Sequence, residues 1–190
     1  MSDGRPLRRR WIAVSALVLA ALGCVASLVL RPWAPEDPRL VIPGQMDQVT
    51  EVERADLYPE LVMGSMTVCL DRAGSVRVTG VVPSDGTLDV TGWAFRPNPF
   101  LHGGEMIGDR AGSLRDAGFV PGTPEKLTIV CNHPNGNSYE LLVQVRAVPQ
   151  STASSGFTIH YQTATGDAEA LTIPLRVIMC QHESDRVCQV

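Results

Sequence analysis

The sequence predicts a mainly β protein: an antiparallel β-sandwich of immunoglobulin-like type, preceded by one N-terminal transmembrane helix. Three observations carry this expectation. Trp11 to Leu30 is a twenty-residue run with no charged residue. Beyond Thr67, apolar residues alternate with polar ones in short runs separated by Gly, Pro, Asn and Asp. Outside the first thirty residues almost nothing repeats with the 3.6-residue period of a helix. Short strands punctuated by turn residues bury their apolar faces most simply as two stacked sheets.

At about 1.5 Å per helical residue, Trp11 to Leu30 spans about 30 Å, the thickness of a bilayer's hydrocarbon core. Arg5, Arg8, Arg9 and Arg10 precede it and the flank Arg31-Pro-Trp-Ala-Pro-Glu-Asp-Pro38 is acidic on balance. The positive-inside rule then places residues 1–10 in the cytoplasm and the rest outside the cell membrane, as a single-pass protein. Two other readings, a cleaved signal and a lipoprotein, compete with an uncleaved anchor. A cleavable signal has a shorter apolar region, whereas this one continues through Val25, Ala26, Leu28, Val29 and Leu30. Ala21-Leu-Gly-Cys24 approximates a lipobox but lacks its leading Leu and the polar stretch after the cysteine. Arg8-Arg-Arg-Trp-Ile12 approximates a twin-arginine signal with Leu7 where Ser or Thr is usual. Ser15, Ala16, Ala20, Gly23 and Ser27 are small enough to permit close helix packing, and ordinary helix composition explains them as well.

Residues 31–60 read as a stalk, because prolines at 32, 35, 38, 43 and 59 stiffen the chain and interrupt regular pairing. Residues 61–190 read as the exported domain. Thr67 to Leu70 is a short strand, and the pattern just before it is too poor to assign. Ser75 to Val82 and Thr87 to Phe95 flank Pro83-Ser-Asp-Gly86 and read as a hairpin. Leu127 to Cys131 and Tyr139 to Val148 flank His133-Pro-Asn-Gly-Asn137 and read as a second. In the strand from Tyr139, Leu141, Val143, Val145 and Ala147 share one face, expected to be buried, while Glu140, Gln144 and Arg146 share the other, expected to be wet. Phe157 to Gln162 and Ala170 to Cys180, joined through Thr165-Gly-Asp167, complete a meander. Gly80 and Gly92 inside strands suggest bulges or a close backbone approach, and Pro174 requires an edge or a bulge. Trp93 fits a core or a surface position equally, and no Cys, Trp and Cys stand at true immunoglobulin spacing.

Fifteen arginines stand against one lysine in a chain rich in Ala, Val and Gly, the mark of a high-GC bacterial coding sequence. Beyond residue 30 there are twelve basic and nineteen acidic side chains, a net charge of −7. A domain of that sign is repelled by phosphate backbones, so nucleic acid is not an expected partner. The expected partners are the membrane, through Trp11 to Leu30, and an envelope protein.

Arg96 to Lys126 is the one long irregular stretch in the domain, and loops of that length usually carry function. Phe100, His102, Glu105, Met106, Arg110 and Arg115 are its candidate binding residues. Ser113-Leu-Arg-Asp-Ala-Gly118 has the signals of one helical turn, capped by Ser113 and stopped by Gly118. The alternative role is a cover that shields an edge strand.

No catalytic residues are assigned and no metal or cofactor is expected. There is no Gly-x-Ser-x-Gly, and Ser113, Asp116 and His102 lack a spacing that implies a triad. Gly103-Gly-Glu-Met-Ile-Gly108 lacks the Gly-Lys-Ser/Thr and βαβ setting of a phosphate loop. His102 and Met106, with Met63 and Met66, offer soft ligands suited to copper, but methionines more commonly fill core gaps. His160 falls in the outward phase of its strand with Thr158 and Gln162, while His133 and His182 belong to a turn and the tail. The functional expectation is an anchored binding or envelope-interaction module. A structural envelope component, an exported metal-binding protein and an enzyme are the alternatives.

Thr67-Val-Cys-Leu-Asp71, Phe95-Arg-Pro-Asn-Pro-Phe100 and Leu171-Thr-Ile-Pro-Leu-Arg-Val-Ile-Met-Cys180 resemble uncharacterised single-pass membrane proteins of high-GC Gram-positive bacteria. The resemblance covers most of the exported domain. It implies the same topology, one anchor and an exported β domain, and carries no activity.

Four of the five cysteines, Cys69, Cys131, Cys180 and Cys188, lie beyond the anchor, an even number suited to two disulfides in an oxidising compartment. Three pairings are open. Cys131 shares the phase of Leu127 and Ile129, whereas Cys180 is out of phase with Leu171, Ile173, Leu175, Val177 and Met179 and should point away from the core. The polar Gln181-His-Glu-Ser-Asp-Arg186 lets the tail return so that Cys188 meets Cys180, leaving Cys69 for Cys131.

Overall fold

The computed structural model describes residues 36–44, 48–52, 55–85, 88–98, 109–122, 125–131, 138–146, 149–182, 185 and 188–189. The chain divides into a unit of residues 1–36 and a compact unit of residues 37–190. The expected cytoplasmic tail, the expected transmembrane helix and the start of the expected stalk lie outside the described residues. Among those described, no helix is long and apolar enough to cross a membrane.

Among the described residues, 37–190 are mainly β, with one 3-10 turn at Ala55–Leu57 and twelve strands. These are β1 (Leu40–Val41), β2 (Gln48–Val52), β3 (Glu60–Leu70), β4 (Val76–Pro83), β5 (Asp89–Pro97), β6 (Arg110–Ala111), β7 (Lys126–Leu127), β8 (Tyr139–Arg146), β9 (Thr152–Ser154), β10 (Phe157–Gln162), β11 (Ala168–Ile173) and β12 (Leu175–Met179). They form three sheets: β1-β3-β8-β5 with β6 beside β3, β11-β10-β4-β7, and β2-β12-β9. Pairing is antiparallel between strands except for β2 with β12. All three sheets contribute to one core, which includes Met66, Val68, Trp93, Leu141 and Val143 from the first, Val78, Phe157 and Ile159 from the second, and Leu175, Val177 and Met179 from the third. Trp93 is therefore a core residue, meeting Phe95 edge-on at 5.9 Å.

The domain starts earlier than the prolines suggest. Leu40 is buried and β1 pairs with the end of β3. Pro38 sits so close to Gly74 that a Cβ there would lie 2.7 Å from its ring. β2 runs alongside β12, and the Ala55 N–H donates to the Cys180 carbonyl at 2.8 Å. The described residues of 37–60, expected as stalk, are thus part of the fold: Pro38 precedes β1 and prolines 43 and 59 fall between strands, where no ladder donor is needed.

Neither expected hairpin forms. β4 pairs with β10 and β7, whereas β5 pairs with β8, and β7 and β8 likewise lie in different sheets. The chain passes from the second sheet to the first between β4 and β5 and again between β7 and β8, while residues 86–87 and 132–137, which include the expected turn residues Gly86 and His133 to Asn137, lie outside the described residues. Alternation alone cannot distinguish the two outcomes, because a strand facing its neighbour across a core buries the same alternate residues as one lying beside it. β10 and β11 do form a hairpin, closed by Thr163 N–H to Asp167 carbonyl at 2.9 Å, with Gly166 at φ 96°.

That hairpin bends between sheets. β10 and β11 belong to the second sheet, while β9 before them and β12 after them pair in the third. The bend falls at Gly156 and Pro174. A Cβ on Gly156 would lie 2.1 Å from the Ile173 carbonyl oxygen, so only glycine fits, and Pro174 ends one ladder before Leu175 begins the next.

β3 was hidden in the sequence by a bulge. Met63 faces Val143 but Met66 faces Leu141, so β3 carries one extra residue, and Ser65 adopts φ 62°. Leu61 and Met63 before the bulge and Met66, Val68 and Leu70 after it all reach the core, on opposite parities of sequence. Register also slips beside the two strand glycines, opposite His160/Tyr161 for Gly80 and between Val90 and Gly92.

Candidate functional site

The face of β8 expected to be wet is covered at Glu140 and Gln144, while Arg146 at its end is exposed as expected. Glu140 and Gln144 are buried, and Leu142 joins a second apolar cluster with Val62, Ala94 and Leu114, against which Phe119 packs. Leu114 and Phe119 belong to residues 109–122, which lie over the outer face of the first sheet. The Leu114 N–H donates to Gln144 Oε1 at 2.8 Å, and Gln144 Nε2 donates to Thr91 Oγ1 at 3.0 Å. The buried amide of β8 is thereby satisfied by the segment that covers it.

The turn that presents Leu114 has the expected cap and stop. The Ser113 N–H and hydroxyl donate to Asp116 Oδ2 at 2.9 and 2.7 Å, and the Asp116 N–H donates back to Ser113 Oγ at 3.2 Å. These hydrogen bonds, with the charge of Arg110 nearby, hold the Asp116 carboxyl below its usual range. Gly118 then takes φ 87°, and the Phe119 N–H closes the turn on the Leu114 carbonyl at 2.9 Å.

The segment continues along the free side of β5. Pro121 packs so close to Gly92 that a Cβ there would lie 2.7 Å from its own. The Gly122 N–H donates to the Trp93 carbonyl at 2.9 Å, and Glu125 Oε1 lies 3.5 Å from the Phe95 N–H. Burial pushes the Glu125 carboxyl up despite that hydrogen bond. Edge shielding, one of the two roles expected of this stretch, is therefore supplied by Pro121, Gly122 and Glu125.

A buried ion pair lies on the same sheet. The Glu140 side chain is wholly buried; its Oε2 accepts from Arg96 Nε at 2.5 Å and its Oε1 from the Ser65 N–H at 3.2 Å. The bulge at Ser65 is what turns that N–H toward the carboxylate. Asp109 Oδ1 accepts from the neighbouring Gly64 N–H at 3.3 Å. Asn98, two residues beyond Arg96, donates to Ser138 Oγ at 3.0 Å and binds the Ser138 carbonyl through its N–H at 2.8 Å. Asn98 and Asp109, which border residues 99–108, are thus each fixed by hydrogen bonds to this sheet or to the segment entering it.

Of the expected binding residues, Arg110 and Arg115 are exposed, Arg110 from β6 paired with Val62 and Arg115 from the capped turn. Val120, 72% exposed, stands on the same segment. Phe100, His102, Glu105 and Met106 lie outside the described residues. Residues 109–122 thus cover the sheet with Leu114 and Phe119 turned inward and carry Arg110 and Arg115 on the outside. Sequence reasoning missed Arg96, Glu140 and Gln144; the one available signal was a long polar pair in a strand facing a Leu-containing loop.

Met63 and Met66 fill the core, His160 is exposed, and among the described residues no three His, Cys, Asp or Glu side chains are grouped to hold a metal ion. Cys69 pairs with Cys131 and Cys180 with Cys188, the connectivity expected from strand phase. Cys180, expected from its phase to point away from the core, is instead buried, because its bridge to Cys188 and the Ala55 N–H on its carbonyl enclose it. No protein-family model, curated protein or solved structure matches this chain.

Proposed function

We propose that this protein is an anchored extracytoplasmic interaction module: residues 11–30 cross the cell membrane, the N-terminus is cytoplasmic, and residues 37–190 present the surface of residues 96–122 to an envelope protein. The observation that carries this reading is that every cysteine beyond the apolar run is paired, in two disulfides that suit an oxidising compartment. An immunoglobulin-like sandwich fits the sheets that share one core and the parallel pairing of an N-terminal strand with the C-terminal one. The resemblance to single-pass proteins of high-GC Gram-positive bacteria supports the same topology.

The outward side of the covering segment supports binding, because Arg110, Arg115 and Val120 stand exposed on backbone held by a capped turn and by hydrogen bonds to β5 and β8. Preorganised arginine beside apolar surface is a common composition for a protein contact. Intact mass and protease treatment of whole cells test the topology. The full chain should keep residues 1–30 and lose residues 37–190 to external protease only after the disulfides are reduced or at high protease. A membrane-free product that begins near Ser27, or a diacylglyceryl mass on Cys24, would remove the anchor from the account.

A further inference from the structure

Most long sheet edges of this domain are covered by its own chain. β1 and β6 flank β3, β7 flanks β4, and Gly122 and Glu125 flank β5. β11 differs. It is the outermost strand of its sheet, paired with β10 on one side, and among the described residues nothing pairs with the other. β2 also ends a sheet but is shorter, and both its flanks lie outside the described residues.

Natural edge strands carry devices against pairing with another chain: lysine, proline, a bulge, or inward charge. β11 has few of them. Its sequence, Ala168-Glu-Ala-Leu-Thr-Ile173, holds one charged residue, its register with β10 runs without a slip, and Pro174 lies beyond its end. Ala168, Ala170 and Thr172 form an exposed outward row of small side chains, and Glu169, Leu171 and Ile173 point the other way.

We propose that β11 pairs antiparallel with β11 of a second copy of this chain, in a two-fold register centred on Ala170. Residues directly opposite in an antiparallel pair share a face, so the register can change only in steps that keep outward residues opposite outward ones. Centred on Ala170, Ala168 stands opposite Thr172, Glu169 opposite Leu171, and Ala170 opposite its own copy. Centred one residue earlier, Glu169 would stand opposite Glu169, a like-charge pair that is destabilising in an already acidic protein. Centred on Leu171, the outer positions reach Pro174, which has no N–H to give. The charge and the proline thus bracket one register. An isologous contact of this kind closes on itself, and anchoring both copies in one membrane raises their effective concentration for so short an interface.

The test uses the full chain in detergent, with Cys24→Ser as background so that the anchor thiol cannot cross-link. Opposed residues in an antiparallel pair lie about 4.5–5.5 Å apart at Cα, within disulfide reach. Mild oxidation should link A170C into a dimer of about 41 kDa, twice the chain mass of 20.5 kDa. A168C and T172C should each stay monomeric alone but link when mixed. Ala170→Lys, at an exposed position, should abolish the dimer without changing the melting temperature. A parent that sediments as a monomer while A170C stays unlinked would overturn the proposal, as would cross-linking of A168C alone or a dimer that Ala170→Lys leaves intact. Loss of a different protein partner in Ala170→Lys, with no dimer in the parent, would assign the edge to that partner and also overturn it.

Discussion

Replacing Cys69 and Cys131 together by serine is expected to lower the stability of the domain by about 4 kcal/mol, from the entropy of a closed loop 62 residues long. The bridge also has a structural consequence beyond the loop it closes. It holds the segment that crosses between sheets: β7 pairs with β4 and the Glu125 carbonyl accepts from Val78 in the second sheet, while Ile129 and Cys131 bond to Leu70 in the first. Losing it releases both attachments in the unfolding equilibrium. The Cys180–Cys188 bridge closes eight residues, worth about 2.5 kcal/mol on the same model as an upper figure, since it orders only the tail. Urea unfolding of the two double-serine variants compares them directly. A Cys180/Cys188 variant as unstable as the Cys69/Cys131 variant would contradict this ranking.

Arg96→Met is expected to cost about 3–5 kcal/mol, because it leaves the Glu140 carboxylate buried without its cation. The penalty belongs to the uncompensated charge rather than to the pair. Adding Glu140→Gln to Arg96→Met should therefore recover a large part of the loss, since the amide oxygen can still accept from the Ser65 N–H and no charge remains buried. A double-mutant cycle by chemical denaturation measures this. Equal stability of Arg96→Met and the double variant would show that the pair does not act through desolvation. Because Arg96 lies two residues before Asn98, the single variant should also make cleavage of the 99–108 segment by protease faster.

The sequence made several of these features legible through local rules. Strand phase in β8 and β12 identified Leu141, Val143, Val145, Val177 and Met179 as core, and phase plus tail polarity separated the two disulfides. The Ser113 cap and Gly118 stop were readable because a helical turn is set by residues within five positions of each other. What escaped was set at long range. Turn signals stand in the sequence after β4 and before β8 without naming the neighbour the next strand would meet. The extra residue at Ser65 switched the parity of β3 and made an eleven-residue strand look patternless. Glu140 and Gln144 alternate as solvent residues should, but Gln144 meets the Leu114 N–H from 30 positions upstream and Glu140 meets Arg96 and Ser65 from 44 and 75 positions upstream. Prolines at 38, 43 and 59 suggested a stalk because composition cannot tell a spacer from short strands joined by turns.

The central claim is that residues 96–122 both complete the fold and carry the partner surface, so its two functions should separate by side chain. Recovery of cross-linked partners from native membranes, with the full chain and with Phe100→Ala and Arg110→Ala combined, tests this most directly. The account predicts that the parent retains a cross-linked envelope protein and the double variant loses it, while both disulfides and the melting temperature are unchanged. The same protein recovered in the same amount from the double variant would contradict it and leave the segment as a cover for β5 and β8 alone.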